Sequence, residues 1–254
     1  MKKNILIYTL AFFILAGCTS KLDFTAPVTP TGGTPDLIIS EVSTAINTDK
    51  NIGGKRNHYV ELYNATTSSI DLSNYAIGYQ ATDSTNLNSM PWSFPDTTVF
   101  KQLSGSLAAS TCFVIASPQA DTPTLLSKAQ LIWGDAATTG NASKPLSLSG
   151  NSAIALLKKA DTGTVILGGI KYTIIDVFCS PLVARIKTTG KVSARNNYMW
   201  AVGDTTNDTR NRTFWRVPTV TAPQSDWTIS NVAGNSQWRV SKDKVWDYSN
   251  IGFR

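Results

Sequence analysis

The chain has 254 residues, of which 42% are apolar and 16% are charged, with a formal net charge of +6. This apolar share can fill a sizeable core, which excludes wholesale disorder. Thr, Ser and Asn number 31, 25 and 17, whereas Glu occurs only twice; this composition disfavours long helices and favours strands and turns. The length is compatible with one large all-β domain or two small ones.

The N-terminal segment has the features of an export signal. Met1–Lys3 is basic and precedes an apolar run at Ile5–Leu15, which is too short for a bilayer span of roughly 20 residues but typical of a signal-peptide core. The run ends in Leu15-Ala16-Gly17-Cys18, which resembles the lipobox of bacterial lipoproteins. That resemblance implies cleavage before Cys18 and acylation of its thiol, and Thr19 in the next position favours the outer membrane. An ordinary secretory peptide with a chance cysteine is the alternative.

The rest of the chain divides into a spacer and one domain. Residues 18–35 are rich in Thr, Pro and Gly and lack apolar periodicity, which predicts a flexible linker. Residues 1–17 are then the signal peptide and residues 36–254 the folded domain. Which face of the outer membrane the domain occupies, and its oligomeric state, stay open.

Short apolar segments recur between Gly, Pro, Asn, Asp and Ser clusters, which is typical of an all-β fold. The predicted strands are Leu37–Val42, His58–Tyr63, Tyr75–Tyr79, Cys112–Ala116, Leu131–Trp133, Ala153–Lys158, Tyr172–Phe178, Tyr198–Val202, Thr213–Arg216 and Trp238–Val240. In the second of them, Val60 and Leu62 alternate with Glu61, so we expect a half-buried strand with Glu61 near water. Gly168-Gly169 is predicted to form a turn, and Pro123–Gln130 is at most a short helical connector.

Four long segments rich in Thr, Asn and Gly are predicted loops, and loops of this length commonly contain binding residues. They are Ser43–Asn57, Ala81–Ser89, Asp135–Lys144 and Gly203–Asn211.

Three motifs together resemble the opening of a lamin tail domain. They are Asp36-Leu37-Ile38-Ile39-Ser40-Glu41-Val42, His58-Tyr59-Val60-Glu61-Leu62-Tyr63-Asn64 and Ile70-Asp71-Leu72-Ser73-Asn74-Tyr75. The similarity continues through later strands to Thr213–Arg216 and Trp227, and covers residues 36 to about 254. It implies an immunoglobulin-like antiparallel β-sandwich that serves as a structural or interaction module without catalytic residues. An insertion at Asp83–Lys101 and a tail from Ser180 predict extended loops and extra C-terminal strands.

Titratable side chains supply an enzymatic hypothesis, an envelope-associated hydrolase. Glu41 and Glu61 form a carboxylate pair if their strands are neighbours, and His58 is the one histidine. Such a hydrolase requires all three to meet in a cleft. We interpret the two acids instead as structural, bonded to loop backbone or paired with an Arg, and His58 as the polar start of its strand.

No cofactor or metal is predicted, because one His and two strand cysteines do not make a zinc ligand set. Asn47–Asn51 alternates oxygen ligands, but Ile52 follows where a calcium loop has Gly. Cys112 and Cys179 are interpreted as separate buried thiols, although an exported chain also permits a disulfide.

Five tryptophans crowd the last 55 residues: Trp200, Trp215, Trp227, Trp238 and Trp246. We interpret them as core residues. The alternative is that two or three are exposed and stack on sugar rings or a partner's side chains, with Arg210 or Arg212 nearby.

The expected function is that of a non-enzymatic binding or scaffolding lipoprotein of the bacterial cell envelope, with a protein or glycan partner. Residues 158–254 have a net charge of +7, so recruitment of an anionic polymer is a further hypothesis. No aromatic-basic motif of a nucleic-acid-binding module is present, and nucleic acid is not an expected partner.

Overall fold

The computed structural model describes residues 32–46, 56–81, 88–134, 146–148, 150–187, 198–203, 209–241 and 247–254. Their regular structure is mostly β-strand, as the composition predicts. The strands are β1 (Leu37–Ile46), β2 (Arg56–Asn64), β3 (Ile70–Asp71), β4 (Tyr75–Ala81), β5 (Phe100–Gln102), β6 (Ser106–Leu107), β7 (Cys112–Ala116), β8 (Ala129–Ile132), β9 (Ser152–Lys159), β10 (Val165–Leu167), β11 (Ile170–Phe178), β12 (Ile186–Lys187), β13 (Tyr198–Met199), β14 (Thr213–Arg216) and β15 (Trp238–Val240). The helices are a 3-10 turn at Leu72–Asn74, α1 (Pro123–Lys128) and α2 (Trp227–Ser230).

Two sheets contain most of these strands and form an immunoglobulin-like β-sandwich. One has six strands in the order β15-β14-β1-β2-β7-β8, and the other has five in the order β10-β11-β9-β4-β5. All pairs within them are antiparallel except β7 with β8. The late strands β14 and β15 complete the six-stranded sheet beside β1, which confirms the expected extra C-terminal strands.

A β-bulge determines which side chains of β1 enter the core. Pairing between β1 and β2 shifts after Ile39, so that Ile39 faces Leu62 and Glu41 faces Glu61. Ser40 is therefore the extra residue, and it turns Glu41 to the outer face while Val42 joins Ile39 in the core.

A second bulge, in β11, brings a charge between the sheets. Pairing of β11 with β9 shifts between Ile174 and Asp176, and Asp176 is completely buried. Arg216 Nη1 lies 2.6 Å from both Asp176 carboxylate oxygens, and Asp176 Oδ2 accepts from Ile39 N–H at 2.8 Å. This ion pair joins the two sheets through the core.

The outer face of the six-stranded sheet is also covered, which makes the expectation for Glu61 wrong. Tyr59, Val114, Leu125 of α1 and Ile251 form a second apolar cluster on that face. Glu61 is consequently only 1% exposed, because the C-terminal residues 247–254 take the place that water was expected to occupy.

Both internal cysteines are buried free thiols, as predicted. Within the described residues, no helix has the length and apolar character needed to cross a membrane.

Candidate functional site

The structure brings Glu41 and Glu61 together as a cross-strand pair on the outer face. Glu61 accepts from Ser40 Oγ and from Gly252 N–H, each at 2.7 Å, and Glu41 accepts from the Tyr59 hydroxyl. The pair borders a cavity of about 140 Å³. The bond from Gly252 N–H to Glu61 holds the C-terminal segment against the sheet, which is the loop-backbone role predicted for this acid, whereas Glu41 bonds a side chain of β2.

The electrostatics of this pair favour a protonated state. Burial, and then the charge of Glu61, raise the pKa of Glu41 well above its usual 4.5. Burial also raises the pKa of Glu61, against the opposing effect of its hydrogen bonds. With 2% and 1% of their surfaces exposed, the two carboxyl groups offer little surface to a substrate.

His58 does not join the acids. It points to the opposite face of β2, because it lies three positions before Glu61 and side chains alternate along a strand. His58 is completely buried, and its Nδ1 accepts from Leu148 N–H at 2.8 Å. Burial, followed by the charge of Arg56, lowers its pKa to about 3. The convergence that a hydrolase needs is therefore absent from these three residues.

The C-terminal tryptophans form no exposed platform among the described residues. Trp200, Trp215, Trp227 and Trp238 are between 0% and 5% exposed, and Trp246 lies outside the described residues. Trp227 and Trp238 contact the Phe178 ring, with centroids 5.7 and 5.0 Å away. These four rings support the interpretation as core residues.

The two candidate arginines are half-buried beside the same core. Arg212 Nη1 donates to Ser241 O at 2.7 Å, and Arg210 packs against Gly150. Neither lines the opening beside β5.

That opening is a cleft of about 790 Å³, which we call the β5 cleft. Four chain segments line it: residues 95–98, all of β5, Trp133 with Gly134, and Leu167, Gly168, Ile170 and Tyr172 of the β10–β11 hairpin. The floor is aromatic, since the Phe100 and Tyr172 rings contact each other edge to face at 5.6 Å.

The walls of the β5 cleft are held by the fold. Trp133 Nε1 lies 3.4 Å from Thr97 O, and its ring packs edge to face on Tyr79 at 5.7 Å. Gly168 and Gly169 have φ of 56° and 79°, and Leu167 pairs with Ile170, which is the two-residue hairpin that the Gly pair predicts.

The residues that line the cleft have no net charge, and they include a side chain that can form hydrogen bonds. Tyr172 is 1% exposed, and its hydroxyl has no hydrogen-bond partner in the described part of the chain. Burial raises the pKa of this phenol, so it stays neutral and can donate or accept. At the rim, Asp96 and Lys101 are exposed and opposite in charge.

The sequence interpretation missed this cleft because no single segment defines it. The signals were the Gly168-Gly169 turn and the Trp at the end of a predicted strand, but nothing in the sequence joins them to β5. Among the described residues, no group of three or more His, Cys, Asp and Glu is arranged to hold a metal; the predicted oxygen-rich loop at 47–51 lies outside them.

A family model described as Lamin Tail Domain matches residues 30–173, more than half of the chain. The match ends within β11, whereas β14 and β15 extend the sandwich beyond it. No curated protein and no solved structure matches the chain.

Proposed function

The chain belongs to the lamin tail domain family, and on that premise we propose that it is a non-enzymatic binding module of the bacterial cell envelope, tethered by lipid on Cys18. The family is an immunoglobulin-like, non-catalytic one. Such a domain acts by presenting a surface to a partner rather than by chemistry.

The β5 cleft is the observation on which the binding role depends. Its volume of about 790 Å³ lies within the range of known ligand sites, which combine an apolar lining with a few directed polar groups. Phe100, Tyr172 and Trp133 supply the apolar lining, and the Tyr172 hydroxyl supplies a polar group. Phe100 and Tyr172 lie in paired strands, so little backbone ordering is needed when a ligand binds.

The tether rests on the N-terminal sequence. Acylation of Cys18 would anchor the chain firmly, since each buried CH₂ contributes about 0.8 kcal/mol. Residues 18–35 would then act as a flexible spacer with a root-mean-square length on the order of 25 Å. The domain would stand close to the membrane surface with freedom to reorient.

The test of the binding role uses the full chain purified from membranes in detergent. Two probe sets are offered: neutral hexasaccharides of glucose and of N-acetylglucosamine, and a phage-displayed library of random linear heptapeptides. Ile170→Trp places a bulky indole ring in the cleft. Ile166→Trp is the matched control, because Ile166 lies on the partner strand of the same hairpin, is 63% exposed and does not line the cleft.

We expect a binder from one of the two sets, with affinity at least tenfold weaker for Ile170→Trp and unchanged for Ile166→Trp. Thermal unfolding of both variants checks that the fold is intact. Equal binding by Ile170→Trp, or no binder in either set, would contradict the proposal.

A further inference from the structure

One edge of the five-stranded sheet is open at the β5 cleft. Among the strands of the described residues, β5 pairs only with β4, and its register matches Phe100 with Gly78 and Gln102 with Ala76. Tyr79 N–H donates to Val99 O at 2.9 Å, and Leu103 N–H donates to Tyr75 O at 3.0 Å.

The alternation of hydrogen bonds along β5 follows from these two contacts. In an antiparallel pair, every second residue bonds to the neighbouring strand. Residues 99, 101 and 103 therefore face β4. The N–H and C=O groups of Phe100 and Gln102 point away from it, two donors and two acceptors along the free edge.

The β5 cleft runs along this free edge. Phe100, Lys101 and Gln102 all line it, although consecutive side chains of a strand point to opposite faces. Contact with all three residues places the opening along β5, and the Phe100–Tyr172 ring contact continues it towards the β10–β11 hairpin. Trp133 and Gly134, which follow the edge strand β8 of the other sheet, form the far wall.

We infer that the ligand of the β5 cleft is an extended peptide segment of a partner protein, which pairs with Phe100 and Gln102 as an added strand. This inference rests on the proposed binding function and names its partner class. Backbone groups at strand spacing recognise another backbone, and pockets along the edge select alternate side chains. A glycan has no matching periodic array of donors and acceptors.

The cleft also indicates the side chain that such a peptide brings. Leu167, Ile170 and the Phe100 and Tyr172 rings give an apolar lining, while Asp96 and Lys101 at the rim cancel in charge. We expect an uncharged apolar or aromatic residue to enter, with the Tyr172 hydroxyl available to a polar tip. Because β5 has three residues, the pairing is short and the affinity modest.

The decisive variant is Gln102→Pro, with Gln102→Ala as its matched control. Both lose the bond from Gln102 Nε2 to Ser73 O, at 2.9 Å. Only the proline removes the outward N–H, and it leaves the ladder to β4 intact, as edge strands allow. The probe is the best heptapeptide selected against the full chain, resynthesised and measured by calorimetry.

We expect Gln102→Pro to bind the peptide about tenfold more weakly than Gln102→Ala. If the proline variant unfolds at a lower temperature, a peptide methylated on each backbone nitrogen in turn gives the same test on the unaltered protein. One or two methylated positions should then lose binding.

Other outcomes distinguish a failure of strand addition from a failure of the cleft as a binding site. A peptide that binds both Gln102 variants equally and tolerates methylation everywhere would overturn strand addition while leaving the cleft as a binding site. Binding of hexasaccharides but of no peptide would likewise overturn strand addition and leave the cleft as a binding site. Binding by neither probe would overturn the proposed function itself.

Discussion

At the scale of single residues, the two buried acidic sites of the sandwich are stabilised in opposite ways. Asp176 forms an ion pair with Arg216, whose side chain is also completely buried. Glu41 and Glu61 face each other without a cationic partner of that kind in the described residues, and burial favours their protonated forms.

Breaking the first site should be costly. Asp176→Asn leaves the Arg216 charge uncompensated in the core, so we expect a loss of about 3–5 kcal/mol in the free energy of unfolding. Lys158→Met is the control, because the Lys158–Asp36 pair is 41% and 19% exposed and such pairs contribute about 0–1 kcal/mol. Urea denaturation measures both, and equal effects would refute the importance of the inter-sheet pair.

The second site predicts a dependence of stability on pH. Because the folded-state pKa of Glu41 is raised, its stabilising contribution is complete below the unfolded value of about 4.5 and is lost as pH rises through the folded pKa. Glu41→Gln resembles the protonated acid and removes this loss.

Glu41→Gln should therefore become more stable relative to the wild type as pH rises from 5 to 9. Urea denaturation across that range measures the difference, with Lys158→Met again as the control. A difference that stays constant with pH would show that Glu41 does not titrate in this way.

At the scale of elements, the C-terminal segment acts as a cover for the six-stranded sheet. Ile251 is 2% exposed in the outer cluster, so Ile251→Ala should lower the free energy of unfolding by about 2–5 kcal/mol. Phe253 is 63% exposed and contacts only the Lys128 ammonium among ring contacts in the described residues. Phe253→Ala should lower the free energy of unfolding by less than about 1 kcal/mol. A larger loss for Phe253→Ala than for Ile251→Ala would contradict the role of the C-terminal segment as a cover.

Dense apolar segments were predictable from sequence, and short edge strands were not. The bounds of β7, β14 and β15 match the predicted strands, because each is a compact apolar run between turn residues. The strands β3, β5, β6, β10 and β12 were missed. Each has two or three residues, too few to show a periodic pattern, and exists because a neighbouring strand is there to pair with it.

The bulges and the cover explain the remaining errors. Strict alternation along β1 and β11 does not place Glu41 and Asp176 on their observed faces, since Ser40 and Ile175 each interrupt the register. Likewise, nothing near Glu61 in the sequence indicates that Gly252 will cover it. The sequence did not predict the β5 cleft for the same reason, because β5 and the β10–β11 hairpin meet only in the folded sandwich.

At the scale of the whole molecule, we propose a folded binding domain that is held at the membrane by a lipid tether. Cys18→Ala should abolish incorporation of a fatty-acid label and move the protein from the membrane to the soluble fraction. Ser20→Ala, two residues away, should leave both unchanged. Continued membrane attachment of Cys18→Ala would refute the lipid anchor.

The central claim is that the partner binds at the β5 cleft and not at the carboxylate pair. Amide hydrogen exchange of the full chain, with and without the best ligand from either probe set, tests it directly. The account predicts slower exchange in segments 95–102, 133–134 and 167–172. Protection confined to segments around Glu41, Glu61 and Gly252, with the cleft unchanged, would contradict it.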